Sequence, residues 1–165
     1  MEIEFVGFAT DCRVEGKLDL ADARLADLLN REWSIHLRHA LVTGTEDGRR
    51  HRFAELDVAR DELNVVVASG PSGDPRLRQS TTSDCVAMSL GPYRAEGFIH
   101  FSAAPRAATD SGGGQPMIAL TDAILEYDEG PKRRSQWFRT ILVNRELAAS
   151  IRIVASVGLE EATPA

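Results

Sequence analysis

The chain has 165 residues, 43% hydrophobic and 27% charged, the balance of a globular protein long enough to bury a core without disulfides or a structural metal. Its formal net charge of −6 is repelled over long range by nucleic acid and by anionic membranes, which argues against a general nucleic-acid binder and leaves room only for a local basic patch. No apolar run approaches the roughly 18 residues of a membrane span. The two cysteines, Cys12 and Cys85, match no ligand spacing. With an acidic N-terminus, "MEIEFVGFAT", that lacks a basic leader region, the expected location is a reducing cytoplasm, with no membrane partner and no cofactor.

In chain order, Ile3 and Phe5 alternate with acidic residues and predict a first strand. "CRVEGKLDL" alternates again, with Val14, Leu18 and Leu20 on one parity and Gly16 inside the run. A glycine in a strand marks a bulge, a bend or a close approach of backbone. "ADARLADLLNREW" then places Leu25, Leu28 and Leu29 at helical spacing, with Asp22 as the expected N-cap and Asn30 as the expected stop. So short a helix depends on the surface it packs against. "SIHLRHALVTG" and "RRHRFAELDVAR", joined by a turn at Glu46, Asp47 and Gly48, predict a hairpin. "LNVVVAS" is a last, β-branched strand. Residues 70–82, "GPSGDPRLRQSTT", have linker composition.

The order then recurs. "CRVEG" returns as "YRAEG", with Arg13 and Arg94, and Gly16 and Gly97, 81 positions apart. Ile35, Leu37 and Ala40 face Ile118, Leu120 and Ala123 at an offset of 83. Phe53, Leu56, Val58 and Arg60 face Phe138, Ile141, Val143 and Arg145 at 85. Both halves end in "VAS". The offset rises slowly, as small loop insertions make it rise. The expected fold is therefore mainly β (α+β): two degenerate tandem repeats, 1–69 and 83–156, forming small barrel-like or joined antiparallel sheets. A tail of 157–165 follows. One short helix belongs to the first repeat; in the second, "AATDSGGGQP" stands in its place and cannot sustain a helix.

Arg24, Leu25, Asp27, Leu29 and Asn30 of "RLADLLN" resemble the R-L-[S/A]-D-x-L-N segment of a group of small uncharacterised bacterial proteins, a likeness that implies no activity. At fold level, short bent strands ending in "ILVNRELAASIRI" are similar to the end of Sm-like barrels, although here the helix lies inside the unit and not before it. That likeness implies RNA binding and rings joined through edge strands.

Both predicted hairpins carry a basic cluster followed by an aromatic: Arg49, Arg50 and Arg52 before Phe53, and Lys132, Arg133 and Arg134 before Trp137. Arginine pairs with phosphate through its planar fork, and aromatics stack on bases. These residues are the candidate site for an anionic ligand, either nucleic acid or a small molecule; the same charges also guard a strand edge. His36 and His39 differ in strand parity and so do not share a metal. Ser111 to Gly114 lack the following Lys and the strand–helix frame of a phosphate loop. No nucleophile–base or metal-ligand motif occurs, and an enzyme would need a pocket near Asp110 to Gly114. Trp33 and Trp137 are expected as anchors of the core or of an interface. The expected function is a non-catalytic binding or assembly module acting as a homo-oligomer; the alternative is RNA or nucleotide binding through the two basic hairpins.

Overall fold

The computed structural model describes residues 1–70, 81–102 and 114–157. Most of the expected linker, the segment standing in place of a second helix with Asp110 and Ser111 to Gly113, and the tail beyond Val157 lie outside them. Among the described residues ten strands form: β1 (Glu2–Ala9), β2 (Cys12–Asp19), β3 (Ser34–Gly44), β4 (Arg50–Ala59), β5 (Leu63–Val67), β6 (Thr81–Leu90), β7 (Tyr93–Ser102), β8 (Met117–Glu129), β9 (Lys132–Asn144) and β10 (Ala148–Val157). The single α-helix among the described residues, α1 (Leu25–Arg31), lies between β2 and β3. The strands join in one open sheet of order β10-β6-β7-β8-β9-β5-β1-β2-β3-β4, and every neighbouring pair is antiparallel.

The two in-strand glycines act alike. Between β2 and β3 the register shifts around Gly16, opposite His39 in the left-handed region at φ 50°. Between β7 and β8 it shifts around Gly97, opposite Asp122 at φ 46°. Each extra residue is a bulge that bends its strand sharply. The bend leaves no room across from it: a Cβ on Gly16 would meet the Arg38 carbonyl oxygen at 3.2 Å, and one on Gly97 the Thr121 carbonyl oxygen at 3.0 Å. Side-chain alternation drove the strand prediction, and close approach of backbone is why glycine interrupts it.

Alternation buries one face of each half over a separate apolar cluster. Phe5, Leu18, Leu29, Leu37 and Val66 belong to the first; Met88, Tyr93, Leu120, Leu125 and Ile141 to the second. The clusters exchange members across the β5–β9 junction. Phe8 and Val65 pack into the second cluster, and Met117 and Leu142 into the first. Phe8 also closes an aromatic trio with Tyr93 and Tyr127, with ring centroids 5.4 to 5.7 Å apart. The Tyr93 hydroxyl donates to the Ala9 carbonyl.

Two expectations are corrected, and one of two alternatives is removed for a third. Asp22 does not cap α1: the residue before the helix is Arg24, which gives no side-chain cap, and Asp22 sits at φ 67° in the turn ahead of it. Asn30 does not stop the helix, which runs through Arg31; its amide is used on β8 instead. Trp33 and Trp137 are not core anchors, being 73% and 59% exposed. Trp33 lies under the buried Arg60 guanidinium at 5.0 Å, a cation–π contact just before the start of β3.

Candidate interaction surfaces

The tips of the two predicted basic hairpins abut: Gly130 N, in the β8–β9 turn, donates to the Thr45 carbonyl in the β3–β4 turn at 2.8 Å. The cations themselves differ in environment. On β9, Arg133 pairs with Asp128 at 3.1 Å and Glu126 at 3.4 Å, and Arg134 with Glu129 at 3.4 Å. Those carboxylates stand on β8, directly opposite or diagonal in the register, and they balance much of the local positive charge. Arg49 lies near Asp47 at 3.7 Å. Arg50, Arg52 and Lys132 are exposed and make no ion pair among the described residues. Trp137 is opposite Ile124 on the outer face. In the first hairpin Arg52 is opposite Leu41.

Two concavities accompany these surfaces. One sits at the seam of the hairpins, bounded by Phe8, Arg13, Thr43 and Tyr127, with a volume of about 10 Å³. That is room for one water, and the buried Thr43 hydroxyl there has no hydrogen-bond partner among the described residues. The other is an open groove of about 260 Å³ between α1 and β3, lined by Leu28, Glu32, Ser34, His36 and Arg38. His36 Nδ1 lies 2.8 Å from Asp57, with Glu55 at 3.6 Å from its other nitrogen. The hydrogen bond to Asp57 holds the imidazole pKa above its ordinary value. Arg38 pairs with Glu2 beside them.

Neither thiol is poised for chemistry. Burial, reinforced by Asp11, pushes Cys12 up to about 11. Burial also raises Cys85. Both are protonated at neutral pH, and the thiolate is the nucleophile.

The remaining surfaces are the outer strands of the sheet. Among the described residues β4 and β10 each have a strand on one side only, leaving a row of backbone donors and acceptors open on the other. β5 and β10 show what pairing does. Leu63 to Val66 of β5, flanked on both sides, are buried throughout. On β10, Ile151 and Ile153 are 52% and 59% exposed. Sequence periodicity did not single out these edges, because it reports the face of a residue and not the lateral neighbour of its strand. Comparison of the chain with protein-family models, with curated proteins and with solved structures finds no match.

Proposed function

We propose that this chain is a non-catalytic, cytoplasmic assembly module that associates with copies of itself through the outer strands of its sheet. The observation that carries the reading is the β5–β9 junction. The first half has the order β5-β1-β2-β3-β4 and the second β10-β6-β7-β8-β9. Corresponding ladders keep corresponding registers. Phe8↔Arg13 matches Ser89↔Arg94, Ile35↔Val58 matches Ile118↔Val143, and Ala9↔Leu63 matches Leu90↔Ala148. β5 skips Asn64 where β10 skips Ala149. This supports reading the chain as two degenerate repeats of one five-stranded, barrel-like unit. The fifth strand of one unit meets the fourth strand of the other at the centre, and the corresponding strands recur at the ends as β10 and β4, each open on one side among the described residues. Exposed Ile151 and Ile153 add apolar surface to one of them. The Sm-like resemblance, with its rings joined at edges, points the same way.

RNA or nucleotide binding is the second reading, favoured by the contact of the two hairpin tips, which places Arg49, Arg50 and Lys132 on one end of the sheet. Light scattering after size exclusion, with and without a short RNA at low salt, separates the two. The assembly reading expects a mass above one chain that ignores RNA. A salt-sensitive shift on adding RNA, abolished by Arg49→Glu with Arg50→Glu, would instead establish the second reading.

A further inference from the structure

The internal junction defines more than the fact of a contact: it defines a register. β9 and β5 pair as Val143↔Val65, Leu142↔Val66 and Ile141↔Val67. Strand β4 corresponds to β9, and β5 to β10, at the single offset of 85. Carrying each residue across by that offset converts the internal pairing into a pairing between free edges. We propose that β4 of one copy adds antiparallel to β10 of the next with Val58 opposite Ser150, Asp57 opposite Ile151 and Leu56 opposite Arg152. The proposal rests on the self-association reading above, and names its partner and its geometry.

The two edges are unlike surfaces, so the contact is heterologous. Each copy that docks offers a fresh edge, and the result is a ring where the rotation closes and a filament where it does not. A two-fold dimer of like edges does not satisfy it.

The contact also differs in kind from the internal one. At the β5–β9 junction the exchanged residues Phe8, Val65, Met117 and Leu142 are apolar and buried. Their counterparts at the outer edges are Ser89, Ser150, Ser34 and Asp57, all exposed. The backbone ladder is offered again, but the apolar plugs are not. Loss of that burial makes the copy-to-copy joint the weaker of the two. The joint between copies is therefore reversible and concentration-dependent, while the joint inside the chain opens only on unfolding. The same polar side chains keep an unoccupied edge from indiscriminate pairing.

The test uses single-cysteine chains in which Cys12 and Cys85 are replaced by alanine. One carries Asp57→Cys and the other Ile151→Cys, both at exposed positions. They are mixed under oxidising conditions and compared with each alone and with a His51→Cys chain mixed with the Ile151→Cys chain. Directly opposite residues fall within disulfide reach, whereas His51 lies six residues along β4. The Asp57/Ile151 mixture is expected to give disulfide dimer about tenfold faster than any control, through the raised local concentration of a docked pair. Hydrogen exchange of the unaltered protein, dilute against concentrated, supplies a readout free of substitutions. Protection is expected to rise at 55–58 and 150–153. A protein that associates but shows neither the selective disulfide nor protection at those edges overturns the register and leaves self-association standing. A protein that stays a single chain at every concentration overturns both.

Discussion

Asn30 grips the backbone of Met117 at both polar atoms. Its Oδ1 accepts from Met117 N at 2.9 Å and its Nδ2 donates to the Met117 carbonyl at 3.1 Å. These two bonds tie α1 of the first half to the start of β8 in the second. Only an amide supplies a donor and an acceptor side by side. Asn30→Ala strands both groups in a half-buried seam and is expected to cost about 1–3 kcal/mol. Asn30→Asp keeps the acceptor but sets a carboxylate against the carbonyl, and is expected to destabilise as well. Urea unfolding of the three proteins checks it, the midpoint falling for both variants with an unchanged slope.

At the bulges, Gly97→Ala places a methyl 3.0 Å from both Ala123 Cβ and the Thr121 carbonyl oxygen, and Gly16→Ala one 3.2 Å from Leu37 Cβ and the Arg38 carbonyl oxygen. Backbone on the far side cannot yield cheaply. Each is expected to cost about 1–3 kcal/mol as overpacking, with Gly97→Ala the larger. Thermal melts of the pair give the order, and a Gly16→Ala midpoint below that of Gly97→Ala would count against it.

The internal junction and the outer edge differ chemically at Leu142 and Asp57, the positions that the proposed repeat pairs at an offset of 85. Leu142 is 2% exposed inside the first apolar cluster. Leu142→Asp puts the edge residue into the seam and buries a carboxylate among apolar side chains. The expected loss is about 3–5 kcal/mol, a large share of a domain's stability. Circular dichroism against temperature reads it directly.

The hydrogen bond to Asp57 raises the His36 pKa above the unfolded value of about 6.5. The sign follows from linkage. The pair's contribution is complete below about pH 6.5 and fades as pH rises through the higher folded value. Both side chains are exposed, so the effect on stability is small. An NMR titration is expected to place the His36 midpoint above 6.5, and Asp57→Asn to lower it.

Much of the framework is legible in the chain itself. Alternation at Val14, Leu18 and Leu20 marks a buried strand face, and Gly16 and Gly97 mark the bends, because both follow from local geometry. Leu25 and Leu29 likewise reveal the inward side of α1. Lateral order is another matter. Pairing of β5 with β9 joins segments more than seventy residues apart, and nothing local at Val65 or Val143 announces the other. The same blindness misassigned Asn30, whose partner lies 87 residues away. It also left Trp33 and Trp137 open between core and interface, since side-chain hydrophobicity does not tell a core from an outer face. The basic clusters were visible, but the carboxylates of Glu126, Asp128 and Glu129 facing Arg133 and Arg134 required the strand register.

Sedimentation velocity across a wide concentration range measures association through the open edges. Under edge-to-edge association the mass rises reversibly above the 18.0 kDa of one chain as concentration increases. Ile151→Lys with Ile153→Lys, which charges the β10 edge, is then expected to return the protein to a single chain without loss of fold. A lone 18.0 kDa species at every concentration, or an oligomer indifferent to the two lysines, would contradict edge-to-edge association.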